Sequence, residues 1–378
     1  MKPHRVAATV AAVVITAAAT TWGQPAIGAD KFRNLEWHLR TLNMTEANKI
    51  STGRGVIVGV IDTGVFPHVD LRRNLLVGAS FVPGTHDNGQ VDPNRHGTEM
   101  AGLIAAHGRP GNVGVIGIAP DAKILPVRDS NAGGEGDSAQ TSKAIRWAID
   151  HGARIVNISA AINPGFDLDD AIAYAAKKDV VVVAGNGNKS QSITTAYPAA
   201  MPGVLAVSGS DQSNKPADFD INTPYVQLCA PGVDMEMAGP NNTYWQGNGV
   251  SGSTAVTSGA AALIRAKFPR LSAQEVIHRL TATATDIGPP GRDDTCGYGI
   301  LNVVKALTAD VPPLAPSSAA SASAVPAPTG ATTAPAAGAQ PSTKPASSST
   351  PAIIAVVAIV LLAGALLAFL VIRRRRPG

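Results

Sequence analysis

Five short apolar runs, at 55–61, 123–127, 154–158, 180–184 and 204–207, constrain what this chain can fold into more than anything else in it. They are rich in Val and Ile and show almost no polar alternation. A strand reads this way when both faces of its sheet are covered, as in parallel sheets whose crossovers are helices. Helical spacing fills the gaps between the runs. Residues 138–151 put Ile145, Ala148 and Ile149 on one face with Gly152 as a stop signal, and 167–178 and 272–284 are further helices. The expectation is an α/β fold of three layers, a mostly parallel sheet with helices on both faces, in one domain over about 52–310.

The two ends are unlike this middle. Lys2 and Arg5 precede an apolar stretch at 7–19 and small residues at 26–29, which predicts an export signal over 1–29 cleaved after Ala29. Residues 30–51 follow as an extension, either a short pro-segment or a belt packed on the domain. At 311–350 there are eight prolines, much Ala, Ser and Thr and the single charge of Lys344, a composition that makes a tether and not a core. The 20 residues of 353–372 carry no charge and suffice for a transmembrane helix; Arg373 to Arg376, in the tail 373–378, favour the cytoplasmic side. The expected topology is a single-pass membrane protein with its domain outside the cytoplasm.

Charge then argues against nucleic acid. The net charge of +4 depends on Lys2, Arg5 and the four terminal arginines; without them 25 basic residues face 27 acidic ones. That balance offers no polyanion footprint. Cys229 and Cys296 are the only cysteines; export permits a disulfide between them, two buried thiols being the alternative, and their number and spacing do not suggest zinc.

Three stretches carry chemistry. Asp62-Thr63-Gly64 ends the first apolar run, where open parallel sheets place their ligand sites. His96-Gly97-Thr98 opens a helix-like run, and Ser251, between Gly249 and Gly252, opens another. An acid that orients an imidazole, an imidazole that takes a proton and a hydroxyl that attacks an acyl carbon make a serine hydrolase. Each is weak by itself: an aspartate before glycine is commonly a turn, a lone histidine structural, and a serine at a helix start a cap. Asp-Thr-Gly also marks aspartic proteases, but those need a second copy, and none occurs. His68, His86, His107, His151 and His278 lack comparable surroundings, and Ser253 and Ser258 are the competing serines.

These blocks resemble the subtilisin-like serine proteases over about 55–306. Gly259, eight residues after Ser251, the Pro231-Gly232 pair and Gly297-Tyr298-Gly299 are similar to that family's pattern. The resemblance implies a catalytic triad of Asp62, His96 and Ser251, with no metal or other cofactor in the chemistry. Ala184-Gly185-Asn186 resembles the family's oxyanion block, which implies that Asn186 and the Ser251 N–H hold the oxyanion. It also implies a peptide-binding cleft at Gly133, Gly134 and Gly136 and at Ser159, Ala160 and Ala161. Two departures touch that cleft: Val250 stands where threonine is usual, and Ala160-Ala161 where Leu-Gly is frequent. The leader, tether and anchor, together with Trp37-His38-Leu39 and 49–53, resemble the mycosins, membrane-anchored subtilases of type VII secretion systems. The expected function is an anchored extracytoplasmic serine endopeptidase acting on protein or peptide substrates, with the secretion machinery as partner. The altered wall residues motivate the alternative, a subtilase-like scaffold with little or no activity.

Overall fold

The computed structural model describes residues 31–314 apart from 135, 163 and 192–195. The export signal, the 353–372 run, the basic tail and all but the first four residues of the 311–350 tether lie outside the described residues. Among the described residues no helix is long and apolar enough to cross a membrane.

The strands are β1 (Ile57–Asp62), β2 (Ala79–Ser80), β3 (His107–Arg109), β4 (Val113–Ile116), β5 (Lys123–Arg128), β6 (Ile155–Ile158), β7 (Val181–Gly185), β8 (Val204–Ser210), β9 (Leu228–Pro231), β10 (Met235–Gly239) and β11 (Thr243–Gly247). The helices are α1 (Lys31–Leu35), α2 (Trp37–Thr41), α3 (Met44–Ile50), α4 (His96–Ala105), α5 (Ser138–Asp150), α6 (Phe166–Lys177), α7 (Val250–Lys267), α8 (Ala273–Ala282) and α9 (Val303–Thr308). Each of the five apolar runs is a strand, and the three predicted helices are present within a residue or two. β2, β9 and the β10–β11 hairpin were not expected: β2 has two residues, and β9 ends on a proline that argues against a strand when read locally.

The main sheet has seven strands among the described residues, ordered β2-β5-β1-β6-β7-β8-β9, with every pairing parallel. Side-chain alternation divides its residues between two cores. Val58 and Val60 of β1 and Val181 and Val183 of β7 face α4 and α7; Ile61, Val182 and Ala184 face α5 and α6. Two covered faces explain the unbroken apolar runs and confirm the three layers. α7 is buried almost all round and rich in Gly, Ala, Ser and Thr, small enough to let it run through the middle of the domain.

Residues 31–51 are a belt. Trp37, Leu42, Met44 and Ala47 are buried in the larger core, Trp37 Nε1 donates to the Val233 carbonyl (2.9 Å), and Ser51 Oγ to that of Leu263 (2.8 Å). Cys229 and Cys296 form a disulfide, Cα–Cα 4.9 Å, and close a 67-residue loop that contains Ser251 and α7. Closing a loop of that length stabilises the fold by about 4 kcal/mol in the chain-entropy account.

The order of strands reverses direction at β1, which has β5 on one side and β6 on the other. Ligands collect beyond the carboxyl ends of strands at such a switch point. Asp62 ends β1, Asp129 and Ser130 follow β5, Ser159 follows β6, and Asn186 and Asn188 follow β7.

Candidate active site

His96 is the first residue of α4, and its Nδ1 lies 2.8 and 2.9 Å from the two carboxylate oxygens of Asp62. Asp62 is buried, and its Oδ1 also accepts the Thr63 N–H at 2.8 Å. Two glycines make this approach possible. A Cβ on Gly97 would lie 2.0 Å from the Gly64 carbonyl oxygen, and Gly64 itself has φ +105. Burial alone would lower the pKa of His96; the charge and hydrogen bond of Asp62 outweigh it and raise the value to about 9.

Asp92, which sequence reasoning missed, ties both partners together. Its Oδ1 accepts from Thr63 Oγ1 (2.8 Å) and the Arg95 N–H (2.8 Å), and its Oδ2 accepts from the Thr98 N–H (2.9 Å) and hydroxyl. The carboxylate thus caps α4 at its positive end while bracing the turn that carries Asp62. Arg95, at φ +91, is held in the left-handed region by this grip and by two side-chain contacts, Glu99 at 2.9 Å and the Trp245 ring at 4.3 Å. Burial raises the Glu99 carboxyl to about 7 against the pull of Arg95.

Ser251 lies in the first turn of α7, where its N–H has no carbonyl one turn back to receive it. The hydroxyl donates to the Ser159 carbonyl at 2.9 Å, and Ser159 Oγ donates to the Ser251 carbonyl at 3.1 Å. The two competing serines are excluded by position: Ser253 and Ser258 are fully buried.

Two openings meet at His96 and Ser251. One, of about 270 Å³, is walled by Asp62, Asn94, Ser130, Gly133, Gly134, Ser159, Ala160 and Ala161. The other, of about 210 Å³, lies between α4, the β10–β11 hairpin and α7, with Met100, Met235, Met237, Glu99 and Asn188 in its wall. Gly133, Gly134, Ser159, Ala160 and Ala161 therefore border the groove as expected. Gly136 does not. It is exposed and lies outside the lining of that opening, and a Cβ there would lie 2.8 Å from Ser130 Oγ. Ala161 is exposed and lines the opening. Val250 is buried, and a Cβ on Gly185 would lie 2.9 Å from its Cγ1, so its branch packs on the end of β7.

Asn186 lines neither opening. It is buried, and its amide is spent inside the domain: Nδ2 donates to the Ile221 carbonyl (2.7 Å) and Ser208 Oγ (3.2 Å), and Oδ1 accepts from Thr223 Oγ1 (2.6 Å). Of the two asparagines in this segment, the one that lines an opening together with Ser251 is Asn188, whose Oδ1 accepts the Val250 N–H at 3.1 Å. Gly185-Asn186-Gly187-Asn188 offers two asparagines; the matching triplet selected the first.

A serine hydroxyl and an aspartate-paired imidazole facing one opening, at the switch point of a parallel sheet, fall in the class of serine hydrolases. Family comparison narrows the class: the model of the subtilase family, peptidase family S8, matches residues 53–299, and the chain belongs to that family of serine proteases. Subtilisin BL of Lederbergia lenta is 35% identical over 272 residues, 71% of this chain and 97% of that protein. Among solved structures, MycP1 from Mycobacterium smegmatis is similar with a TM-score of 0.65 and 30% identity, covering 73% of this chain and 85% of that one. The MycP3 protease from the type VII (ESX-3) secretion system gives a TM-score of 0.63 and 29% identity, covering 76% and 90%. These two structural neighbours are mycosins, and the relative compared by sequence is a subtilisin.

Proposed function

We propose that this chain is a membrane-anchored, extracytoplasmic serine endopeptidase associated with type VII secretion. The observation that carries the catalytic reading is the 2.8 Å contact between His96 Nδ1 and Asp62 at the opening that Ser251 also lines. With Nδ1 donating to Asp62, Nε2 is the basic nitrogen. Ser251 Oγ leaves the Ser159 carbonyl, gives its proton to Nε2 and attacks the peptide carbonyl; the imidazolium, steadied by Asp62, then protonates the departing amine. Asn188 and the Ser251 N–H hold the oxyanion, Asn188 taking the role that the sequence motif gives to Asn186. An extended substrate lies along Gly133, Gly134 and the edge from Ser159 to Ala161, with its backbone pairing as an added strand.

Anchoring rests on the 353–372 run and the export signal, and the secretion partner on the likeness to MycP1 and MycP3. A fluorophosphonate probe is expected to label the wild-type protein and spare Ser251→Ala; equal labelling of both removes the assignment. A chain ending before residue 353 is expected in the medium, and its retention in the membrane fraction removes the anchor.

A further inference from the structure

Strand β6 carries one polar side chain, set among the apolar side chains of its neighbours. Asn157 is fully buried between β1 and β7, in register with Val60 and Val183, on the side of the sheet that meets α7. An amide there is costly unless each of its groups is paired. Its Oδ1 accepts from Ser258 Oγ at 2.9 Å, and its Nδ2 donates to Ser159 Oγ at 3.0 Å. Ser159 Oγ in turn donates to the Ser251 carbonyl at 3.1 Å. Ser258 and Ser251 are seven residues apart, two turns on one face of α7. One amide therefore grips the nucleophile helix at two heights, directly at Ser258 and through Ser159 at the residue bearing the hydroxyl.

We propose that Asn157 is a positioning residue for catalysis: by fixing the direction of the Ser159 hydroxyl and the seat of Ser258, it sets the height of Ser251 relative to His96. Fully satisfied buried networks specify one arrangement, and a nucleophile displaced by a fraction of an ångström loses rate without losing substrate. This rests on Ser251 being the nucleophile.

The test uses the full chain and a peptide amide substrate. Asn157→Ala and Ser159→Ala are each expected to lower kcat about tenfold with KM held within about twofold, and the double variant to lose no more than Asn157→Ala alone, since Ser159 relays the hold of Asn157. Ser258→Ala puts a good helix former in the helix and serves if Asn157→Ala does not fold; it is expected to slow fluorophosphonate labelling of Ser251 about threefold or more, because Asn157 loses one of its two anchors. Multiplicative losses in the double variant, a change confined to KM, or wild-type labelling of Ser258→Ala each overturn the proposal while leaving the protease reading intact. A wild-type chain that fails to react with the probe removes both.

Discussion

The two halves of the site are held differently. On the Asp62–His96 side, Asp92 accepts from a side chain of one partner's turn and from the backbone of the other's helix, and Gly64 and Gly97 let the two segments touch. The histidine contact is already made. On the Ser251 side the helix is seated just as firmly, but the hydroxyl is turned to the Ser159 carbonyl. In the proposed mechanism the orienting pair is preorganised, whereas the nucleophile is held on a bond that substrate must displace. A fixed base and a releasable hydroxyl therefore have separate roles. The geometry that is costly to assemble is built in, and the reactive group is the part that moves.

The largest expected effect breaks the serine half. Ser251→Ala is expected to lower kcat by at least about 10⁴-fold, in line with nucleophile removal in subtilisin, a member of this family; turnover within tenfold of wild type, measured on a peptide amide, would exclude Ser251. Next, Asn188→Ala should cost about 10²–10³ in kcat, the loss found when subtilisin's own oxyanion asparagine is removed. Asn186→Ala should instead act on stability, by about 1–3 kcal/mol for stranding buried partners. Kinetics and thermal unfolding of both variants decide between the two asparagines, and the reverse pattern restores Asn186.

The histidine half makes a prediction in pH. With His96 held at about 9, the neutral base becomes scarcer by close to tenfold for each pH unit well below that value, so kcat/KM is expected to rise about fiftyfold from pH 7 to 9. Stability moves the other way. The folded value lies above the unfolded 6.5, so the contribution of the Asp62–His96 pair is complete below about 6.5 and is lost as pH rises through about 9. A rate profile already flat above pH 7 would contradict this. The smallest effect sharpens the comparison: Asp92→Asn keeps the shape but loses charge-assisted bonds, at about 1.5–3 kcal/mol of stability and about tenfold in kcat. Unchanged kcat with reduced stability would show that Asp92 only braces the fold.

Much of this was legible along the chain. The apolar runs marked the strands because two covered faces leave no polar alternation, and Asp62, His96 and Ser251 stood where a strand ended or a helix began. β2 and β9 were not legible because an edge pairing of two residues and a strand ending in proline carry no periodic signal. Asp92 was overlooked in a loop of turn-forming residues, although an aspartate a few residues before a helix start is a capping signal.

Residue order by itself determined the α/β class and the family and pointed to Asp62, His96 and Ser251, since periodicity and local turn chemistry are properties of neighbouring residues. Only the folded chain decided where the Asn186 amide and the Ser251 hydroxyl point. Those answers depend on groups 22 to 92 positions away, such as Ser208, Thr223 and Ser159. An amide or hydroxyl takes its direction from the partners that packing brings to it, and no spacing along the chain encodes them.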